Sequence, residues 1–452
     1  MMTERFLGPL RSRLGIALFF IVIVAGQVAP TLAATITVNT DSDELNSDGD
    51  CSLREAVAAA NRNAAVDGCV AGSADGDTIG FSANYRISLN PELGQLVVLD
   101  TPLTINGPAS INGNGGTRLF LIGNSEVNDT DARALTLNNL IVENGRPDIE
   151  IEASSISGGN LNTNGGCIFA RPYTSLTLSA TMVRGCQGTN GGGIFADEGS
   201  TVTIHNSSLI GANLATINGG GLAMTTGYLT VDGDSTFEGN RANSLGGGIF
   251  VGDTVVVTFG GGSSTNRAFL IGNNANGGGG GMYMDVNATF IGNHARFFNN
   301  STSSTGIGSA WFSQGGSSAS NGEDVGRSCV DCCIVNNNSQ YAVYQEVNGL
   351  IAQWQDNWWG NDWGPRIYDL DPTQSESTIS SSVSNGDGIS GDGALAVVVG
   401  LTDDGEWETQ IPTGAWLTTT AGDIPSDCLN DTCTTTNLQS IYTPRVCTTR
   451  KD

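Results

Sequence analysis

Charge is scarce in this chain. Asp, Glu, Lys and Arg together make up 14% of its 452 residues, and histidine occurs only as His205 and His294. Each histidine stands alone, in "IHNSS" and "GNHAR", and reads as a turn or outward position. The common catalytic phrases are also missing. There is no Walker-type phosphate loop, no HExxH, and no Gly-x-Ser-x-Gly elbow in a strand–helix setting. The run Gly277–Gly280 is no phosphate cradle, because neither a helix nor a lysine follows it. Helix signals are nearly absent, with one strong case in "CSLREAVAAANRN", which excludes folds built from alternating strands and helices.

The charge that is present is acidic, with a net value of −26. Such a surface repels nucleic acid and anionic lipid heads, keeps an exported protein soluble, and can draw divalent cations. Residues 1–33 have the pattern of an export signal: Arg5, Arg11 and Arg13, then the apolar "IALFFIVIVA", then the small residues of "APTLAA". Removing them moves the net charge to −28, since three Arg and one Glu depart. After that removal no membrane partner is expected, and the predicted location is secreted or cell surface.

Glycine is abundant, at 63 residues without a collagen triplet. It falls in a repeated phrase. "NGGGIFADEGSTVTIHNSS" begins at Asn190, and "NGGGLAMTTGYLTVDGDST" begins at Asn218. Aligning the third glycine gives Cys167, Gly193, Gly221, Gly248 and Gly281, at intervals of 26, 28, 27 and 33 residues. An apolar triplet follows each anchor, then an alternating strand. Seven or eight residues before an anchor stands a second phrase, ending at Cys186, Asn213, Asn240 or Asn273. A period near 27 residues, with three short strands and no helix, fits one rung of a solenoid. The expected fold is an all-β solenoid whose rungs pair strand to strand, with asparagines laddered at one corner and glycines packed closely at another.

Ten cysteines in an exported chain point first to disulfides. Cys51 and Cys69 flank the helical segment. Cys167 and Cys186 replace one glycine and one ladder asparagine in neighbouring rungs, which makes them a candidate bridge. Cys428 and Cys433 sit close together, and Cys329, Cys332 and Cys333 cluster. Connectivity does not follow from spacing alone.

The paired Gly-Gly-x-aliphatic and Phe-x-x-Asn phrases over about residues 120–300 resemble the repeats of chlamydial polymorphic outer-membrane proteins. That resemblance implies an all-β, right-handed parallel β-helix of the pectate-lyase-like kind and an adhesive surface role. Nothing after residue 366 matches the alternating ten-residue segments of the membrane barrel that ends those proteins. At the front, "ITVNTDSDELNSDGDCSLREAVAAANRN", "GDTIGF" and "PLTINGP" resemble the domain named for its Cys-Ser-Leu-Arg-Glu-Ala signature, found on exported β-helical proteins. It implies location and fold rather than an activity. Within it, Ser52 and Glu55 have the spacing of a capping box, and Arg54 is placed to pair with an upstream acid.

The organisation expected is therefore a signal over 1–33, a cap with first rungs over 34–110, the β-helix over 111–400, and a Cys-containing cap or tail over 401–452. Three sites are candidates. The loop "DSDELNSDGD" offers Asp41, Asp43, Asp48 and Asp50 either as a solvated acidic loop or as calcium ligands, although EF-hand spacing is absent. Trp358, Trp359 and Trp363 in "DNWWGNDWGP" form either a terminal plug or a sugar-stacking platform. Asp253 and Asp285 fall at nearly the same offset after their anchors, so stacked rungs would bring them into carboxylate-pair range. Asp is also a common turn residue, and the Gly-His-Gly and Arg-x-Lys phrases of polygalacturonases are absent. The favoured expectation is a non-catalytic protein that binds an extracellular glycan or protein or serves a structural role. The alternative is a lyase or hydrolase of acidic polysaccharide acting through Asp253 and Asp285. No cofactor besides calcium is suggested.

Overall fold

The computed structural model describes residues 33–99, 102–123, 133–147, 163–263 and 266–314, and beyond them the strand segments 327–330, 332–335, 343–348, 352–355, 366–368 and 395–401. Among these residues the strands form sheets of 18, 11 and 5 members, and every pairing between named strands is parallel. The chain is an all-β parallel β-helix.

One rung shows how sequence becomes coil. Ile194–Ala196 turns at Asp197 into Ser200–His205, turns again into Leu209–Gly211, and reaches the two-residue strand Leu214–Ala215 before the next rung begins at Leu222. Each strand pairs with its counterpart one rung on: Ile194 with Leu222, Val202 with Leu229, Ile210 with Phe237, Leu214 with Arg241. Inward positions stack aliphatic on aliphatic. Leu176, Val202, Leu229 and Val257 form one such column, all fully buried. Outward neighbours alternate with them, as the two-residue strand period requires. Parallel crossovers of this kind are right-handed almost without exception.

The glycine register is the one expected from the repeat. The amides of Gly193, Gly221 and Gly248 donate to the carbonyls of Gly221, Gly248 and Gly281 at 3.2, 2.9 and 3.0 Å. A Cβ on Gly193 or Gly221 would lie 2.7 Å from the carbonyl oxygen of the next anchor, so a side chain at either would push these rungs apart. Two further rungs escape the glycine pattern, because their anchors are Leu119 and Ala310. The long interval before Gly281 is a turn insertion. Residues 260–267 separate Val255–Phe259 from Ala268–Ile271, and pairing resumes in register on both sides.

The asparagine ladder is complete from Asn213 through Asn240 and Asn273 to Asn300, all at most 1% exposed. Each amide nitrogen reaches the next Oδ1 at 2.9–3.0 Å. That same oxygen accepts the preceding asparagine's backbone N–H at 3.0–3.1 Å. The second amide proton goes to the carbonyls of Val183, Ile210 and Phe237. Buried amides are stabilising only when satisfied in this way. Cys186 stands where the next asparagine would be, and its N–H still donates to Asn213 Oδ1 at 3.0 Å. Its sulfur is bonded to Cys167 at the anchor position, and Cys51 is bonded to Cys69. The cluster Cys329, Cys332 and Cys333 contains a Cys329–Cys332 disulfide.

The helix Leu53–Arg62 covers the first rungs, with Leu53, Ala56, Ala59 and Ala60 buried. Ser52 and Glu55 make both halves of the capping box. Arg54 grips Asp43 through two 2.8 Å bonds and also donates to the carbonyls of Leu93 and Gly94. The signature Cys-Ser-Leu-Arg-Glu-Ala is thus a folding device. Cys51 staples, Ser52 and Glu55 cap, Leu53 and Ala56 pack, and Arg54 ties the helix to the acidic loop and to the turn Pro91–Leu93.

Candidate functional site

The acidic loop divides into two groups with different partners. Asp43 is held against Arg54 with its side chain 1% exposed, so it is committed to the cap. It also accepts the Asn90 N–H at 2.7 Å. Asp41 is exposed and stands apart from the acid clusters. Asp48 and Asp50 do meet, joined by Glu44 of the same loop. Asp50 also approaches Glu55 and Asp67, and in each trio the carboxylate oxygens lie within 4.8 Å of one another. Burial, together with the neighbouring Asp48 and Asp50 charges, pushes the Glu44 carboxyl up. Burial and Asp48 do the same to Asp50. Asp48 is lowered by hydrogen bonds from the Asp50 backbone and from Asn46.

The fit to a divalent cation rests on Glu44, Asp48 and Asp50. One Asp50 oxygen is buried without a hydrogen-bond partner. In the second trio both Glu55 oxygens already accept, from Asn46 N and Ser52 N at 3.0 Å. Asp67 accepts from Gly49 N at 2.8 Å. These three carboxylates supply part of the six to eight oxygens that calcium takes, and Asn46 Nδ2 already donates to Glu44 and Asp48 at 2.8 and 3.1 Å.

Asp253 and Asp285 lie on directly stacked rungs, since Val251 pairs with Met284. Both serve their turns. Asp253 Oδ1 accepts from the N–H and the side-chain amide of Asn287 at 3.2 and 2.7 Å. Asp285 Oδ1 accepts the Val286 N–H at 2.9 Å. Asp197, at the Asp285 offset, likewise accepts from Glu198 N and Thr225 Oγ1. An open, polar depression of about 440 Å³ lies elsewhere, on earlier rungs, lined by Asn112, Asn144, Arg146 and Gln187 among others. Trp358, Trp359, Trp363, Cys428 and Cys433 lie outside the described residues.

The most regular surface feature is one the repeat alignment passed over. The pairing register stacks Thr35, Thr78, Thr104, Thr136, Thr177, Thr203, Thr230 and Thr258 in a single column, one per rung. Each takes an outward position beside a fully buried aliphatic residue, with Thr35 exposed and the other seven half-buried. Ile291, 47% exposed, succeeds Thr258 in the column. The signal was present in "LTIN", "LTLN", "LTLS", "VTIH" and "LTVD", where one Thr recurs at one offset.

Other outward positions vary. Two residues earlier on the same face stand Ser175, Thr201, Tyr228, Val256 and Thr289. Tyr228 is 60% exposed. By contrast the short-strand sheet carries its aromatics covered: Phe250, Tyr283 and Phe312 stack at 5.3 and 5.0 Å, the last two under 10% exposed.

No family model, curated protein or solved structure matches the chain.

Proposed function

We propose that the protein is an exported, non-catalytic β-helical rod, displayed on or released from the cell surface, that binds extracellular glycans or proteins through its side. The single observation that carries this reading is the unbroken outward column of threonines, an uncharged, hydrogen-bonding face at a fixed pitch. The export pattern of residues 1–33 and the likeness of residues 36–108 to a domain of exported β-helical proteins support the location. The turn-holding roles of Asp253 and Asp285 support binding over turnover.

The test is an array of glycans and extracellular proteins probed with the purified protein, alongside an assay for reducing ends or unsaturated products on a polysaccharide panel. Retention without product release is the expected result. Turnover that vanishes on Asp285→Ala would replace this reading with a polysaccharide lyase or hydrolase.

A further inference from the structure

We propose that the threonine column is the seat of a neutral, extended glycan lying along the coil axis, with Tyr228 stacking on one sugar ring. The inference rests on the binding role proposed above and names its ligand class.

Strand propensity alone does not explain the column. Val and Ile suit a pleated surface as well as Thr does, and the neighbouring outward column uses Val256 in that way. What Thr adds is a hydroxyl. Cross-strand hydroxyl pairing would be a structural reason for it, and such a pair does occur elsewhere, between Thr163 and Thr189. In the column it does not. Among the described residues no hydrogen bond joins the hydroxyls from Thr35 to Thr258 to the protein, so donor and acceptor capacity is left over on every rung.

Geometry and charge select the ligand. At the ordinary strand spacing of ~4.8 Å the column runs about 34 Å. A polymer that offers hydroxyls at a similar step along a straight axis can satisfy successive rungs. An extended β-linked glycan does so. The net charge of −26 disfavours an acidic polymer. Tyr228 is the second, independent pointer. A large aromatic side chain left 60% exposed beside the column presents a π face to the C–H groups of a pyranose ring. Tyr173, the other strongly exposed tyrosine, is instead occupied by Glu198, whose charge and hydrogen bond push the phenol pKa up.

The experiment is calorimetric titration of the full protein with cellohexaose, xylohexaose and hexagalacturonate, repeated on Thr203→Val/Thr230→Val and on Tyr228→Ala. Circular dichroism checks that each variant keeps its coil. The expected result is binding of a neutral hexasaccharide, weakened about tenfold or more by either variant, with no binding of the acidic one. Equal affinity in both variants, preference for hexagalacturonate, or no binding of either neutral sugar would overturn the assignment. Failure here with array retention intact removes the site and leaves the binding role. Failure of both removes the role itself.

Discussion

Two columns of polar side chains run along the coil, one inside over four rungs and one outside over eight. In the inner one, both amide protons and the Oδ1 of Asn213, Asn240 and Asn273 are engaged, and the ladder through Asn300 is sealed from water. The outer one, Thr35 to Thr258, is equally regular and makes no hydrogen bond within the described structure. Repetition alone therefore does not separate scaffold from surface. Hydrogen-bond accounting does: where the groups satisfy one another the repeat holds the coil together, and where they face water it is available to a partner.

The sharpest way to break that contrast is to cut the inner column. Asn240→Ala takes the acceptor from Asn213 N and from one Asn213 Nδ2 proton, the side-chain donor from the Ile210 carbonyl, and one of the two donors from Asn273 Oδ1. The expected loss is about 3–5 kcal/mol, read by denaturant unfolding. The next effect belongs to the rung where a disulfide replaces the ladder. Removing the Cys167–Cys186 bond with paired serines should cost about 2–4 kcal/mol, while Cys167→Gly/Cys186→Asn should recover part of it by extending the ladder one rung. The outer column should barely respond. Thr203→Val/Thr230→Val is expected to change stability by less than about 0.5 kcal/mol, so its effect appears in binding alone.

The smallest effect lies in the acidic loop. The Glu44 and Asp50 carboxyls are raised in the folded protein, so the folded state holds protons there that the unfolded state has released. Their contribution to stability therefore grows as pH falls from neutral through the raised values. Asp48 is lowered and acts in the opposite sense, losing its contribution as pH falls through its depressed value. Asp50→Asn should raise Tm at pH 7 by no more than about 2 °C, and the gain should fade in acid. Scanning calorimetry across that pH range reads both changes.

The coil was legible in the sequence where glycine holds the anchor and asparagine the ladder, because both then recur at fixed offsets. Where other residues serve, the pattern went silent. Leu119 and Ala310 anchor rungs without glycine, and Asn300 was hidden in "FFNN" although its Phe-x-x-Asn spacing matches the earlier phrases. The Cys167–Cys186 bridge was readable because both cysteines occupy positions already defined by the repeat. The loop acids were only half readable. Spacing shows that Asp41, Asp43, Asp48 and Asp50 are close in sequence, while the Arg54 fork that removes Asp43 from the group depends on a fold that brings the helix against the loop. The threonine column was missed because Thr in a strand is ordinary until the register shows eight stacked on one another.

Side-chain amide hydrogen exchange at Asn213, Asn240 and Asn273, followed by NMR, tests the stacked coil most directly. Protection comparable to that of the core strand amides is the expected result, with the exposed Asn63 as the fast reference. Exchange of the three ladder amides at the rate of Asn63 would mean that the rungs do not stack in register, and the outward threonine face would lose its basis.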